Sequence, residues 1–237
     1  MNDGMTVKKV IAVVPSAGAG RRFGSGTNKP FASLKGKPLI IWTLEALGAA
    51  SCIREIIPVV READLDFFAE ILDEYRMPKV RRIVPGGKER QDSVFNGLRT
   101  IDGKNSIVLV HDGARPLIDP AFINEAVKQL EGYDGVVAGV PVKDTIKEVG
   151  GGIIGRTLQR DVLWAVQTPQ IFPYEKIYDA YQKAKLESFC ATDDSSLVER
   201  YGGRVKMVMG SYANIKITTP EDLQIAEVLL KQKEDNT

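Results

Sequence analysis

The chain has 237 residues, 43% of them hydrophobic, enough to bury one full core, so a single domain spanning 1–237 is expected. Lys and Arg total 32 against 31 Asp and Glu, and a net charge of +1 lacks the basic excess of a protein that tracks a nucleic-acid backbone. No run reaches the roughly 18 apolar residues of a membrane span and 1–9 holds no apolar stretch, so no nucleic acid, no membrane and a cytoplasmic location are expected. Cys52 and Cys190 are too few and too far apart for a disulfide framework or a zinc site, and read as half-buried thiols.

Taken in chain order, β-branched apolar runs at 10–14, 56–60, 80–84, 107–110, 136–140 and 205–209 read as strands. Helix-period apolar positions fill 39–50, 64–75, 121–130, 174–186 and 221–231 between and after them. This alternation predicts an α/β fold, a Rossmann-like domain whose mostly parallel sheet is covered by helices on both faces. Asp119-Pro120 and Thr219-Pro220 each set a capping side chain before a proline suited to the first helical turn. Asp222 stands where it completes a near capping box with Thr219, and Thr192 reads as a further cap.

One stretch breaks the rhythm. Residues 143–149 and 153–158 look like two strands around Gly150-Gly151-Gly152, an insertion at about 141–163 where a helix is expected. An isolated two-stranded ribbon is marginal in water, so this is either a surface hairpin or a β-arm that needs a partner, a homodimer being the simplest.

The first strand runs into Pro15-Ser16-Ala17-Gly18-Ala19-Gly20-Arg21-Arg22, with Lys29 following. Glycines at such a strand end let backbone N–H groups approach an anion, although a glycine turn from strand to helix is structural as often as functional. A dinucleotide fingerprint fails here, because Phe23 stands where its third glycine belongs and Leu39-Ile40-Ile41 occupy the place of its acid. The P-loop fails as well, since Gly36-Lys37 is followed by Pro38. What remains is a glycine loop carrying three cations, Arg21, Arg22 and Lys29, beside a candidate phosphate cradle.

Further along, Pro85-Gly86-Gly87-Lys88-Glu89-Arg90-Gln91-Asp92-Ser93 reads as a tight turn into a short helix, open enough for a base to lie against backbone. His111-Asp112-Gly113-Ala114-Arg115-Pro116 closes the fourth strand, where open α/β sheets gather ligand groups. Asp112 and Arg115 could equally form a structural ion pair. His111 is the only histidine, and it reads as a packed residue rather than a general base.

These segments, with Lys143-Asp144-Thr145, Gln159-Arg160-Asp161, Gln167-Thr168-Pro169-Gln170, Thr192-Asp193-Asp194 and Asn214-Ile215-Lys216, occur in an order that resembles the 2-C-methyl-D-erythritol 4-phosphate cytidylyltransferase family of the nucleotidyltransferase superfamily. The resemblance runs over nearly the whole chain. It implies a cytidylyl transfer in isoprenoid precursor biosynthesis: the polyol phosphate attacks the α-phosphate of CTP, and pyrophosphate leaves. Arg22 and Lys29 would stabilise the transition state, while Arg160 and Lys216 position the polyol phosphate. Pro15, Ser16, Ala17, Gly18, Gly20, Gly86, Gly87 and Ser93 would hold the nucleotide. Asp112, Arg115, Thr145, Thr168 and Thr192 would surround the substrate, with Asp112 near Mg²⁺.

A phosphate monoester, with a second pKa of about 6, needs no base at neutral pH, in keeping with the packed reading of His111. A triphosphate with few protein cations around it calls for a divalent ion, Mg²⁺ or a substitute. The related enzymes are dimers whose arm arginine serves the adjacent site. Two positions depart from the family pattern: Ser16 stands where Ala is usual, and Pro30 where Gln is usual. A ribitol 5-phosphate cytidylyltransferase, which shares the chemistry, is one alternative, and a non-catalytic nucleotide-binding module is another.

Overall fold

A computed structural model describes residues 8–18, 29–103 and 105–235. Gly20 and Arg22 therefore lie outside the described residues. Seven strands form one sheet in the order β11-β7-β10-β6-β1-β4-β5. They are β1 (Lys9–Pro15), β4 (Ile53–Val60), β5 (Val84–Pro85), β6 (Ser106–Val110), β7 (Gly135–Pro141), β10 (Trp164–Pro173) and β11 (Val205–Met209). Two small hairpins stand apart, β2 (Ser33–Leu34) with β3 (Lys37–Pro38), and β8 (Lys147–Gly150) with β9 (Ile153–Thr157).

Every strand pairing in the main sheet is parallel except those of β10, which runs antiparallel to both β6 and β7. The expected mostly parallel sheet is therefore present. Alternate residues of β1 feed opposite faces: Val10, Ala12 and Val14 join one cluster, Ile11 and Val13 the other. That period of two with both faces apolar is why the strand reads as a continuous hydrophobic run. Helices α1 (Leu39–Ala49), α2 (Leu65–Tyr75) and α4 (Pro120–Lys128) cover the first face. On the second lie α3 (Arg90–Leu98), α5 (Tyr174–Leu186) and α6 (Asp194–Arg200). The last helix, α7 (Pro220–Asp235), packs Ala226 and Leu230 against Leu34 and Leu39 in a third, smaller cluster. Among the described residues no helix is long and apolar enough to cross a membrane.

Several local expectations need correction. The run 80–84 is not one strand: Val80 makes a single parallel bridge to Ile56 and the ladder resumes only at Val84. Between them Arg82 turns to Glu55 at 3.1 Å and to the Thr100 carbonyl at 2.6 Å, which takes the segment out of pairing. The ten-residue β10 hides behind its polar Gln167-Thr168-Pro169-Gln170 segment. A proline inside a central strand is tolerated at a bulge, and the β10–β7 register does shift between Val166 and Gln170. Thr192 is not a cap, because Asp193 takes that role for α6 by accepting from the Ser196 N–H at 3.1 Å. Cys52 is half-buried as expected, whereas Cys190 is exposed. Asp119 caps α4 as anticipated, accepting from the Ala121 N–H at 2.9 Å, and Asp222 makes the return bond of the near capping box, accepting from the Thr219 N–H at 2.9 Å.

The hairpin is real and turns on Gly151 and Gly152, whose φ values of 55° and 81° are the pair a two-residue hairpin loop demands. Every residue of β8 and β9 is exposed, including Val149, Ile153 and Ile154.

Candidate active site

In the main sheet β4 and β5 lie on one side of β1 and β6 lies on the other, so the chain reverses its direction of spread between β1 and β6. The crevice outside the carboxyl ends of such a pair is where open α/β sheets bind ligands. A cleft of about 590 Å³ opens at that place. Pro15, Ser16, Ala17, Gly18, Lys29, Gly87, Ser93, Asp112 and Lys216 line it, so most of the residues expected to meet the nucleotide converge there.

Close backbone packing explains the small residues. A Cβ on Gly86 would lie 2.3 Å from the Ala17 Cβ, so the turn before α3 can touch the loop after β1 only without a side chain. Ser93, in the first turn of α3, is buried, and its hydroxyl accepts from the Gly87 N–H at 3.1 Å and donates to the Glu89 carbonyl at 3.1 Å. Its contribution is to hold the glycine turn open toward the cleft. Ser16 occupies the space left by Gly113, whose Cβ would sit 2.0 Å from the Ser16 Oγ.

Asp112 is the electrostatic centre. Its carboxylate meets Lys216 Nζ at 2.8 Å, Arg90 Nε at 3.1 Å and Arg115 Nε at 3.7 Å. Burial alone would raise its pKa, but the charges of Arg90, Lys216 and Arg115 overcome that and hold the acid well below the usual carboxylate range. Arg115 lies behind Asp112, 8% exposed, and donates to the Asn214 carbonyl at 2.7 Å, which anchors the segment that carries Lys216.

His111 is fully buried. Its Nε2 lies 3.1 Å from the Arg115 carbonyl, a group that only accepts, so Nε2 carries the proton. Nδ1 is then an acceptor for Thr168 Oγ1 at 3.0 Å, and that same oxygen accepts from the Asp112 N–H at 3.0 Å. Burial pushes the imidazole down to about 4, against the smaller opposing effects of the Arg115 carbonyl and the Asp112 charge. The histidine is a packed, neutral brace for the Asp112 backbone. Thr168, 3% exposed, has its hydroxyl engaged in that brace and does not line the cleft.

Three expected site residues lie elsewhere in the protomer. Thr145 and Arg160 are exposed at the base of the hairpin, where Arg160 donates to the Lys143 carbonyl at 2.6 Å. Thr192 is exposed just before α6. None of the three lines the cleft. Conversely, Arg90 lines the cleft although nothing in its local sequence singles it out, and it is held by the buried Asp194. Arg90 forks onto Asp194 at 3.0 and 2.8 Å, across a separation of 104 residues that no local pattern reveals.

Among the described residues no group of three or more His, Cys, Asp or Glu side chains is placed to hold a metal ion. Asp112 and Glu89 are the acids among the described residues lining the cleft. A single buried carboxylate beside a glycine-containing loop at a strand end fits Mg²⁺ arriving with a nucleotide, since Mg²⁺ typically takes one or two carboxylates and completes its shell with phosphate oxygens and water.

The model of the IspD family, 2-C-methyl-D-erythritol 4-phosphate cytidylyltransferase, matches residues 10–232. A 2-C-methyl-D-erythritol 4-phosphate cytidylyltransferase of Pelotomaculum thermopropionicum is 46% identical over 228 residues, covering 95% of this chain and 96% of the relative. One from Clostridioides difficile is 47% identical over 222 residues, covering 93% of each. Among solved structures, the 4-diphosphocytidyl-2C-methyl-D-erythritol synthase of Anaerococcus prevotii superposes with a TM-score of 0.83 at 33% identity, covering 95% of this chain and 99% of that one. With a matching family model over nearly its whole length and relatives of this similarity, the chain belongs to the IspD family of 2-C-methyl-D-erythritol 4-phosphate cytidylyltransferases.

Proposed function

We propose that this protein transfers the cytidylyl group of CTP to 2-C-methyl-D-erythritol 4-phosphate, giving 4-diphosphocytidyl-2-C-methyl-D-erythritol and pyrophosphate. The observation that carries the reading is the convergence of the Pro15–Gly18 loop, Lys29, Asp112 and Lys216 on one cleft in a chain of this family. A monoester oxygen attacks the α-phosphorus in line, forming a new P–O bond. The bond to the bridging oxygen breaks, and pyrophosphate departs with the electron pair.

The protein's part is to neutralise and align. Lys29 and Lys216 face the cleft as cations for the phosphates, and Arg22, outside the described residues, is assigned the same role by its place in the family motif. No side chain need remove a proton, since the monoester is largely dianionic at neutral pH, and neutral buried His111 is left to its bracing role. Asp112 would hold the divalent ion, whose charge when bound offsets that of the triphosphate.

The second half of the site comes from a neighbouring copy. The exposed apolar residues Val149, Ile153, Ile154 and Val162 on and beside the hairpin favour burial against a two-fold partner, and Arg160 and Thr145 at its base would then serve the adjacent cleft. One domain with this arm accounts for the whole chain. The test is pyrophosphate release from CTP with 2-C-methyl-D-erythritol 4-phosphate and, separately, ribitol 5-phosphate. Turnover with the first substrate only supports the proposal, and turnover with the second only rejects it.

A further inference from the structure

Three side chains that the proposed reaction does not use are joined at one edge of the cleft, which Arg90 lines and behind which Asp194 and Tyr181 are buried. Arg90, the first residue of α3, lies between two acids: its Nε donates to Asp112 Oδ1 at 3.1 Å, and Nη1 and Nη2 fork onto the two oxygens of Asp194 at 3.0 and 2.8 Å. Asp194 opens α6 and is completely buried. The Tyr181 hydroxyl, from α5, donates to its Oδ1. Elements α3, α5 and α6 of one sheet face therefore meet at a single guanidinium. A forked Arg–carboxylate pair fixes the plane of the guanidinium, and with it the direction of the remaining Nε–H toward Asp112.

The two oxygens of Asp112 are consequently unequal. Oδ1 faces a guanidinium that cannot turn. Oδ2 faces Lys216 Nζ at 2.8 Å, on a flexible side chain that is 40% exposed, and Arg115 Nε at 3.7 Å, beyond hydrogen-bond length. A lysine is a point charge on a rotatable stem, easily drawn to an arriving phosphate, whereas the clamped arginine is not. Without its clamp, Arg90 would be free to fork onto both oxygens of Asp112 and occupy Oδ2 as well.

We infer that Arg90, held by Asp194 and Tyr181, is a positioning residue that locks Oδ1 of Asp112 and so confines exchange, between Lys216 and a divalent cation arriving with the nucleotide, to Oδ2. The inference rests on the cytidylyl-transfer reading, and it assigns Arg90, Asp194 and Tyr181 no contact with substrate.

The test compares wild type with Asp194→Asn and Arg90→Lys, the second of which keeps a charge near Asp112 but cannot fork. Mn²⁺ binding to the enzyme–CTP complex, read by water-proton relaxation without any polyol phosphate, should weaken about tenfold or more in both. In turnover assays kcat should fall by roughly 10- to 100-fold while KM for CTP stays within about twofold. Tyr181→Phe removes one hydrogen bond and leaves both ion pairs, so it should show the same pattern in smaller measure and decides together with Arg90→Lys if Asp194→Asn does not fold. Folded variants with wild-type Mn²⁺ affinity overturn the inference. So does a kcat that drops only in proportion to the folded fraction, with Mn²⁺ binding unchanged. Wild type that turns over no polyol phosphate would instead sink the functional reading, and the Mn²⁺ comparison remains readable in that case.

Discussion

Acidification offers a clean reading of the His111 brace, because His111 is the only histidine in the chain. In the unfolded chain an imidazole titrates near ~6.5. In the folded protein burial pushes His111 down to about 4. Between those values the unfolded state takes up a proton that the folded state refuses, so stability falls as pH drops through this window and stops falling below it. At ~1.4 kcal/mol per pH unit, the loss between pH 7 and pH 5 comes to about 2 kcal/mol. Depressed carboxylates such as Asp112 and Asp193 add their losses at lower pH, in and below the ordinary carboxylate range. Urea unfolding at pH 7, 6 and 5 measures the slope. A His111→Gln protein, less stable throughout for want of a matched brace, should show almost none of it. A slope of equal size in that variant, or none in wild type, would refute the assignment of a neutral imidazole held by Thr168 and the Arg115 carbonyl.

Lys29→Ala should lower kcat by on the order of 10²–10³, the scale for losing one group that stabilises developing charge, and a loss confined to KM for CTP would show uniform binding instead. Gly113→Ala forces a Cβ to within 2.0 Å of the Ser16 Oγ. It should therefore destabilise by about 1–3 kcal/mol, most of which Ser16→Ala in the same chain should restore; additive losses in the cycle would contradict the packing argument. Ile153→Asp with Ile154→Lys should yield a folded monomer by sedimentation, and a dimer that persists would remove the arm from the interface. Mixing Arg22→Ala with Arg160→Ala subunits should recover about a quarter of wild-type activity if Arg160 serves the adjacent cleft. A mixture that stays inactive after verified exchange would place Arg160 in its own protomer's site.

What the sequence made legible follows from local physics. Strands buried on both faces, such as β1 and β7, read as unbroken apolar runs, and the Asp119 and Thr219 starts are written in single dipeptides. The hairpin announced itself through consecutive glycines. What stayed hidden depends on distance. Strand β10 looks polar in its middle because Gln167 and Thr168 turn inward to bond Ser211 and Asp112, a role set by strands far away in sequence. The Asp112 cluster was half visible, since Arg115 stands three residues on while Arg90 and Asp194 come from other elements. Arg160 illustrates the opposite case: a residue legible as functional from its motif that a single protomer does not bring to the cleft.

The most direct test of the central claim follows the transferred atoms. 2-C-methyl-D-erythritol 4-phosphate carrying oxygen-18 on its phosphate is incubated with CTP and the protein, and the products are read by phosphorus NMR. Attack of the monoester on the α-phosphorus predicts label in the bridging oxygen of the diphosphate product and none in the released pyrophosphate. Label in pyrophosphate, or consumption of CTP without a labelled diphosphate, would contradict the account.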